Sequence, residues 1–521
     1  MEKTSTCSTD LKDKAAQGFL WGFINNGAMQ LLNAVCGIIL ARLLTKADYG
    51  LAGEVAIFSS IAAALQESGF LAALTNRKNA THADYNAVFW FNITMSLCLF
   101  IVLFFCAPLI VDFFHEPELL WLSRYAFIGF FVASFSITPR AILFKQLRVK
   151  EQAIISVIAL LVSGTAGIVM AWLLAPRDMG YWSIPTQNII FVAMISILSW
   201  HYSGWKPSFQ FSFQPIREMF GFSCRLLITN LFNCFNNSVF AFVFGYFYTK
   251  NEVGIYTQAD KWNKMGSQLI IGMVQGVAQP MFVQVGNDEE RLQRVFRKML
   301  RFTCFISFPA MFGLALVAPE FIVVLVGEKW LPSAELMQLL CIAGAFMPIT
   351  TLYSNFMISR NRSDVYMWNI LSQGLIVLGT LCAVKAFQLS FCVPLPALQE
   401  TAEGWSIALL PHSLSGIRLM VVGYVCIYIA WLFLWHFFLW KEIRLNLWAV
   451  LKDILPFVGI ATLVMGLTYL CTRTIEHRLV LLLTRMLVAA ILYLAILWLL
   501  KAKILRESLS YLTKRKAHHA S

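Results

Sequence analysis

The sequence carries little charge for its length. Of its 521 residues only 13% are charged, whereas 59% are hydrophobic. A soluble domain usually carries about 25% charged residues, and a water-soluble chain of this size needs more polar residues to cover its surface. The scarcity of charge therefore excludes a soluble globular protein and indicates that much of the apolar surface faces lipid.

The sequence also lacks the motifs of metal and nucleotide chemistry. Its 12 cysteines show no C-x-x-C spacing, and its 8 histidines form no H-E-x-x-H pair. No P-loop, G-x-G-x-x-G or D-x-D sequence is present, and these are the motifs that hold phosphates and metal–nucleotide complexes. We therefore predict no metal, no cofactor and no enzymatic activity.

Basic residues outnumber acidic ones, 41 to 28, which gives a net charge of +13. The lysines and arginines lie in short gaps between apolar runs, and no basic patch is interleaved with aromatic residues. This is the pattern of cytoplasmic loops in a membrane protein. We predict a plasma-membrane protein, in the inner membrane if the cell is Gram-negative, with no nucleic-acid partner.

Long apolar runs are what the sequence has in abundance. A helix that crosses a bilayer needs about 20 apolar residues, and the first such run is too long for a cleaved signal peptide. The predicted spans are 18–41, 51–74, 86–111, 119–141, 152–175, 181–201, 218–247, 254–285, 300–326, 333–359, 365–388, 416–440, 451–472 and 479–500. The fold is predicted to be an all-α polytopic membrane protein with about 14 transmembrane helices.

The charge of the gaps between spans alternates along the chain. Basic clusters such as 140–150 and 291–301 fall in alternate gaps, and an intervening gap reads DFFHEPE at 112–118. Because an excess of Lys and Arg marks the cytoplasmic side, we predict that both termini are cytoplasmic.

One short stretch occurs twice. TKADYGL at 45–51 is answered by TKNEVGI at 249–255, with threonine, lysine and glycine at the same spacing. Each stretch follows a span with a polar stripe and precedes the next span of the chain. An even number of spans separates the two stretches. This predicts two six-helix lobes in a parallel repeat, followed by two C-terminal helices.

The repeat and the charge pattern together divide the chain. The predicted parts are a cytoplasmic N-terminus (1–17), an N-lobe of helices 1–6 (18–201), a cytoplasmic linker (202–217), a C-lobe of helices 7–12 (218–440), helices 13–14 (441–500) and a basic cytoplasmic tail (501–521).

Polar residues form a stripe on the first span of each lobe. The stripes consist of Asn26, Gln30 and Asn33 in helix 1, and of Arg225, Thr229, Asn233 and Asn236 in helix 7. Each set falls on one face at 3.6 residues per turn. Two interpretations are open: the stripes face a common cavity, or they join helices within a lobe.

Acidic residues within spans are a second set of candidates. In helix 8, Asp260 and Lys264 are four residues apart, close enough to pair. The pair is either structural or a coupling site in which protonation of Asp260 releases Lys264 to hold substrate. Glu67 in helix 2 is a further coupling candidate, or a partner of Arg77 or Lys78.

Several stretches resemble a known family. They are ARLLTKADYGL (41–51), ESGFLAALTNRKN (67–79), VFWFN (88–92), PRAILFKQLRVK (139–150) and GYWSI (180–184), with VGIYTQADKW (253–262) and GEKW (327–330) in the second half. These stretches resemble Wzx-type O-antigen and exopolysaccharide flippases, near the colanic-acid exporters, of the multidrug/oligosaccharidyl-lipid/polysaccharide exporter superfamily.

The resemblance implies a function. Such a protein would flip an undecaprenyl-diphosphate-linked oligosaccharide from the cytoplasmic to the periplasmic leaflet by rocker-switch alternating access, for the biosynthesis of lipopolysaccharide, capsule or exopolysaccharide. Its partners would be this glycolipid and membrane lipids, with other polysaccharide-assembly proteins as candidates. Arg225 would then clamp the diphosphate, and the amides of both stripes would contact sugar hydroxyls.

Three alternatives are weighed against this function. A drug/cation antiporter of the same superfamily often carries an acid in its first helix, and 18–41 contains none. The murein lipid-precursor flippase has a basic first helix, which is also absent. A membrane-embedded polymerase or ligase needs acid–base groups, and the longest predicted outer loop, 389–415, offers only Glu400, Glu403 and His412.

Overall fold

The structure is a computed structural model that describes residues 26–67, 74, 81–146, 148–208, 213–286, 288–360, 362–391, 396–401, 404–409 and 412–499. Within these ranges, 12 helices are long and apolar enough to cross a membrane. The predicted helical membrane fold is confirmed. The total of about 14 spans and the cytoplasmic position of both termini remain predictions.

Each predicted span overlaps one long helix, although the bounds differ: the predicted span 300–326, for example, corresponds to a helix that begins at Glu289 and ends at Leu316. The helices are α1 (Asn26–Leu43), α2 (Lys46–Glu67), α3 (His82–Phe114), α4 (Leu119–Lys145), α5 (Val149–Leu174), α6 (Ser183–Ser203), α7 (Gln214–Phe247), α8 (Lys250–Val285), α9 (Glu289–Leu316), α10 (Leu331–Ser359), α11 (Ser363–Phe391), α12 (His412–Ile443), α13 (Leu447–Thr472) and α14 (Arg478–Leu499). The helices α7 and α8 lie outside the set of 12, and both carry polar stripes.

Short elements connect some of these helices. Two 3-10 turns, Ala175–Arg177 and Gly180–Trp182, lead into α6. Three short helical segments, Ala318–Phe321, Ile322–Val326 and Glu328–Trp330, lie between α9 and α10.

An antiparallel hairpin of β1 (Pro396–Thr401) and β2 (Gly404–Leu409) lies between α11 and α12, with Pro396 opposite Leu409. Among the residues described, it contains the only β-strands. The connection between α11 and α12 is shorter than the predicted loop at 389–415, because α11 ends at Phe391 and α12 begins at His412.

The repeated stretch forms the start of a helix in both copies. Thr45 precedes α2, and its backbone N–H and hydroxyl donate to Asp48 Oδ2 at 2.8 and 2.7 Å. Thr249 precedes α8 and donates in the same way to Glu252 Oε2 at 2.9 and 3.1 Å. An acid three residues after a capping threonine satisfies N–H groups that a helix start leaves free, which explains the repeated Thr and the acid.

The repeated glycine is explained by packing. A Cβ atom built on Gly50 would overlap the carbonyl group of Lys250, and one built on Gly254 would overlap the carbonyl group of Lys46. The starts of α2 and α8 therefore pack against each other reciprocally, as two copies related by a two-fold axis do. Only glycine lets two backbones approach this closely.

Packing divides the described chain into two compact units, which meet between Thr257 and Gln258 in sequence. This groups α7 and the first turns of α8 with α1–α6. The predicted lobes follow the repeat and divide at the 202–217 linker instead, so the lobe assignment remains a prediction.

In the first unit, α6 packs on α4 and α5, α3 packs on α4, and α2 packs on α7. Its core contains Val55, Ile110, Phe114 and Phe127. In the second unit, α9 packs on α10 and α13, and α12 packs on α10 and α11. Large apolar side chains also stand exposed, such as Phe105 at 73% and Trp498 at 71%, which is the surface expected of a protein surrounded by lipid.

Candidate functional site

A cavity of about 530 Å³ lies in the first unit among α1, α2, α4, α5 and α6. Its polar lining consists of Asn33 from α1, Ser59 and Ser60 from α2, Ser163 from α5, and Gln187 and Asn188 from α6. Its apolar lining includes Met29, Val55, Leu160 and Phe191. Amides and hydroxyls both donate and accept hydrogen bonds, so this lining suits a ligand with many hydroxyl groups.

The structure places the predicted stripe of α1 only partly at this cavity. Asn33 lines it, Gln30 is half-buried, and Asn26 is exposed. Asn33 thus lines the same cavity as polar groups of α2 and α6 inside its own unit. Sequence reasoning missed Gln187 and Asn188, although two adjacent amides within an apolar span are a readable signal.

The stripe of α7 is described in part. Asn233 and Asn236 are half-buried, and both take part in contacts. Arg225 and Thr229 lie within α7, but their side chains lie outside the described residues, so the diphosphate clamp remains a prediction. One contact links α7 to the cavity wall: Ser238 Oγ lies 3.4 Å from Ser60 Oγ.

The predicted pair of α8 is present in the second unit. Lys264 Nζ lies 2.7 Å from Asp260 Oδ2. Both the structural interpretation and the coupling interpretation require this ion pair, so its presence favours neither of them. Glu67, the second acidic candidate, is the last residue of α2. The structure describes its backbone but not its side chain, and Arg77 and Lys78 lie outside the described residues.

Two buried amides on α8 escaped the sequence prediction. Gln258 and Asn263 are fully buried, and the side-chain nitrogen and oxygen of both have no hydrogen-bond partner among the residues described. Leaving a buried polar group unpaired costs about 1–3 kcal/mol. Asp260, Asn263, Lys264 and Ser267 follow the i, i+3, i+4, i+7 spacing of one helix face, which was the available signal for Asn263.

Sequence reasoning also missed a buried acid, Glu54. It lies on α2, is 1% exposed, and its Oε2 atom has no hydrogen-bond partner among the residues described. The charges acting on it are those of Glu116, Lys250 and Glu118. An acid within a membrane-spanning segment is rare and usually functional, so its position in the sequence was itself a signal.

Lys250 at the start of α8 joins two of these acids. Its Nζ atom lies 2.9 Å from Glu116 Oε2 and 3.1 Å from Glu118 Oε1. Burial raises the pKa of Glu118, but hydrogen bonds from its own backbone and from Lys250 outweigh burial, and the pKa is lowered. Burial lowers the pKa of Lys250, but its bonds to both acids outweigh this, and the pKa is raised. Both shifts favour the charged pair.

Other ion pairs hold helices together. Arg485 on α14 donates to Glu320 Oε1 at 2.7 Å and to Thr472 Oγ1 at 3.3 Å. Arg297 on α9 donates to both carboxylate oxygens of Asp453 on α13, at 2.6 and 3.1 Å. These contacts attach α13 and α14 to the rest of the second unit.

Comparisons with known proteins give a consistent result. The family described as polysaccharide biosynthesis protein matches residues 39–335. The teichuronic acid biosynthesis protein TuaB of Bacillus subtilis (strain 168) is 24% identical over 374 residues, which cover 71% of this chain and 76% of TuaB. The lipopolysaccharide biosynthesis protein WzxC of Escherichia coli (strain K12) is 24% identical over 374 residues, which cover 70% of this chain and 74% of WzxC.

A solved structure shares the fold. The lipid II flippase MurJ in its inward closed conformation superposes with a TM-score of 0.69 at 15% sequence identity, over 92% of this chain and 99% of MurJ. The family match and the two relatives confirm the resemblance that the short sequence stretches carry. The solved structure shows that the helical membrane fold is shared.

Proposed function

Because this chain belongs to the polysaccharide biosynthesis protein family, we propose that it moves a lipid-linked oligosaccharide across the plasma membrane for the biosynthesis of a surface polysaccharide. The observation that carries the proposal is the family match along 39–335. The relatives TuaB and WzxC, named for teichuronic acid and lipopolysaccharide biosynthesis, cover about 70% of the chain.

The chemistry of the cavity supports a saccharide substrate. Sugar hydroxyls can bond to the amides of Asn33, Gln187 and Asn188, while the apolar walls contact the faces of the sugar rings. None of the described side chains that line the cavity is charged. Such a lining suits a polar, uncharged part of a ligand. A cationic drug would be better served by an acidic lining.

The substrate we propose has three parts. The glycan would occupy the polar cavity, the diphosphate would pair with Arg225 on α7, and the polyprenyl tail would remain in the lipid. Net movement would run from the cytoplasmic to the periplasmic leaflet by alternating access. Transport needs no bond to be made or broken, which agrees with a protein that is not an enzyme.

The test begins with a deletion strain in the host. Lipid-linked oligosaccharide is quantified in each leaflet, together with surface polysaccharide and sensitivity to cationic drugs. The proposal predicts glycolipid accumulation on the cytoplasmic leaflet, loss of surface polysaccharide and unchanged drug sensitivity. Intact surface polysaccharide with increased drug sensitivity would identify a drug/cation antiporter instead.

Variants then test the sites. Asn188→Ala and Arg225→Ala are each returned to the deletion strain at matched expression. Arg217→Ala, at an exposed position on the first turn of α7, is the matched control for loss of an arginine. We expect loss of surface polysaccharide with Arg225→Ala and reduced amounts with Asn188→Ala, whereas Arg217→Ala should behave like the wild type.

A further inference from the structure

The start of α8 docks on α2 through a short series of close contacts. Gly50 meets the carbonyl group of Lys250, and one turn further along, a Cβ atom built on Gly53 would lie 2.8 Å from Thr257 Oγ1. The next residue of α2 is Glu54. Its side chain is therefore held at the edge of the contact between the two helices.

The helix α7 leaves room for this carboxyl group. A Cβ atom built on Gly245 would overlap the ring of Phe114 and lie 3.2 Å from Glu54 Cγ. Because Gly245 has no side chain, Glu54 is enclosed without a polar partner from α7. Its Oε2 atom is buried and has no hydrogen-bond partner in the described part of the chain.

The charges around Glu54 are unbalanced. The groups that act on it are Glu116 and Glu118, from the connection between α3 and α4, and Lys250, from the start of α8. With all four groups ionised, three carboxylates face one lysine and the cluster carries a net charge of −2. A proton on Glu54 reduces this to −1, and the remaining acids are those that Lys250 already contacts.

We propose that Glu54 is a proton-binding site that controls the docking of the start of α8 on α2. Protonation forms an O–H bond at Oε2 with a proton taken from water, and the neutral carboxyl group fits its enclosed position. Loss of the proton to water leaves a buried carboxylate that repels Glu116 and Glu118 and weakens docking. Docking is therefore favoured at low pH and is lost as the pH rises.

A proton fits this position better than a metal cation. Lys250 Nζ already occupies the space between Glu116 and Glu118, at 2.9 and 3.1 Å from their oxygens. The described residues contain no group of three or more acidic, His or Cys side chains placed to hold a metal ion. Glu54 thus offers one unpartnered oxygen, which is enough for a proton.

Hydrogen exchange of residues 249–257 measures the docking directly. The purified full-length protein in detergent is compared from about pH 6 to about pH 9, after correction for the intrinsic pH dependence of exchange. In the titrating range, protection of the wild type should fall by about tenfold per pH unit, since undocking releases one proton. Glu54→Gln is permanently neutral and should stay protected across the range.

Two further variants control the interpretation. Glu118→Gln removes one contact of Lys250 but leaves Glu54 able to titrate, so protection should still fall as the pH rises. Glu54→Asp keeps a titratable group and should retain the pH dependence with a shifted midpoint, which preserves the test if Glu54→Gln fails to fold. A Glu54→Gln protein with the pH dependence of the wild type would overturn the proposal.

In a separate set of hydrogen-exchange measurements, the Na⁺ concentration is varied at constant pH. A Na⁺-dependent change in the wild type that is absent from Glu54→Gln would identify a metal cation as the ligand and overturn the proton assignment. None of these measurements uses a substrate, so they do not depend on the proposed transport function.

The consequence for transport does rest on that function. If the start of α8 must undock during the cycle, Glu54→Gln should slow lipid-linked oligosaccharide transfer in proteoliposomes and remove its dependence on a pH gradient. If the wild-type protein also fails to transfer lipid-linked oligosaccharide, the proposed transport function is contradicted. The proposed proton site is not, because the hydrogen-exchange measurements test it separately.

Discussion

At the scale of single residues, the close approach of the starts of α2 and α8 depends on glycine. Gly50 and Gly254 each face the backbone carbonyl of a lysine in the other copy of the repeated stretch. A backbone atom cannot rotate away as a side chain can, so the cost of an added methyl group is unavoidable at these positions.

We expect Gly50→Ala to destabilise the protein by about 1–3 kcal/mol, the range for overpacking, because the new Cβ atom displaces the start of α8. Thermal unfolding in detergent is the measurement. Gly459→Ala is the matched control, since a Cβ atom there meets nothing within 4 Å and alanine favours a helix. Equal unfolding midpoints for Gly50→Ala and Gly459→Ala would contradict the packing described.

A second prediction concerns the buried pair of Arg485 and Glu320, whose side chains are 7% and 11% exposed. Arg485→Ala leaves a buried carboxylate unpaired and should cost about 3–5 kcal/mol. The double variant Arg485→Met, Glu320→Leu removes both charges and should recover most of that loss. A double variant as unstable as Arg485→Ala would mean that the arginine acts through packing and not through its charge.

At the scale of elements, the repeated stretch has a local and a tertiary role. Its threonine and acid start α2 and α8 through hydrogen bonds within four residues, which any isolated helix could form. Its lysine at 250 reaches a different element, the connection between α3 and α4, and fixes where α8 starts in relation to the rest of the first unit.

This ion pair predicts a pH dependence at acid pH. The pKa of Glu118 is lowered in the folded protein, so its contribution to stability is present above the ordinary glutamate pKa and is lost as the pH falls through the lowered value. Unfolding midpoints of the wild type and of Glu118→Gln should therefore differ at about pH 7 and converge at about pH 3. A difference that persists unchanged in acid would exclude this origin.

At the scale of the whole molecule, the exposed apolar side chains and the charge alternation together require a fixed orientation in the membrane. The repeated stretches should both face the periplasm, and the basic start of α9 should face the cytoplasm. Labelling of single cysteines with a membrane-impermeant reagent in intact cells tests this in a cysteine-free background.

Asn251→Cys, at an exposed position beside the second copy of the repeated stretch, should be labelled from outside. Arg294→Cys, exposed on α9, should be labelled only after the membrane is permeabilised. Labelling of both positions from the same side would show that the number of spans between them is even and that the predicted topology is wrong.

The sequence by itself determined the properties that depend on local composition and spacing. Apolar runs of about 20 residues defined the long helices, and the recurrence of TKADYGL as TKNEVGI predicted two equivalent turns between spans. In the structure both stretches form helix starts, at Lys46 and Lys250. The pairing of Asp260 with Lys264 followed from their spacing of four residues, because helix geometry alone brings such residues together.

The tertiary structure decided what depends on distant parts of the chain. Helical spacing gives the face on which Asn33 lies but not which helix packs beside that face. The presence of Asn33, Gln187 and Asn188 around one cavity therefore could not be predicted. The enclosure of Glu54 depends on Gly245 and Lys250, about two hundred residues away in the sequence. Burial and long-range pairing are properties of how helices pack, and a single sequence does not specify which helix faces meet.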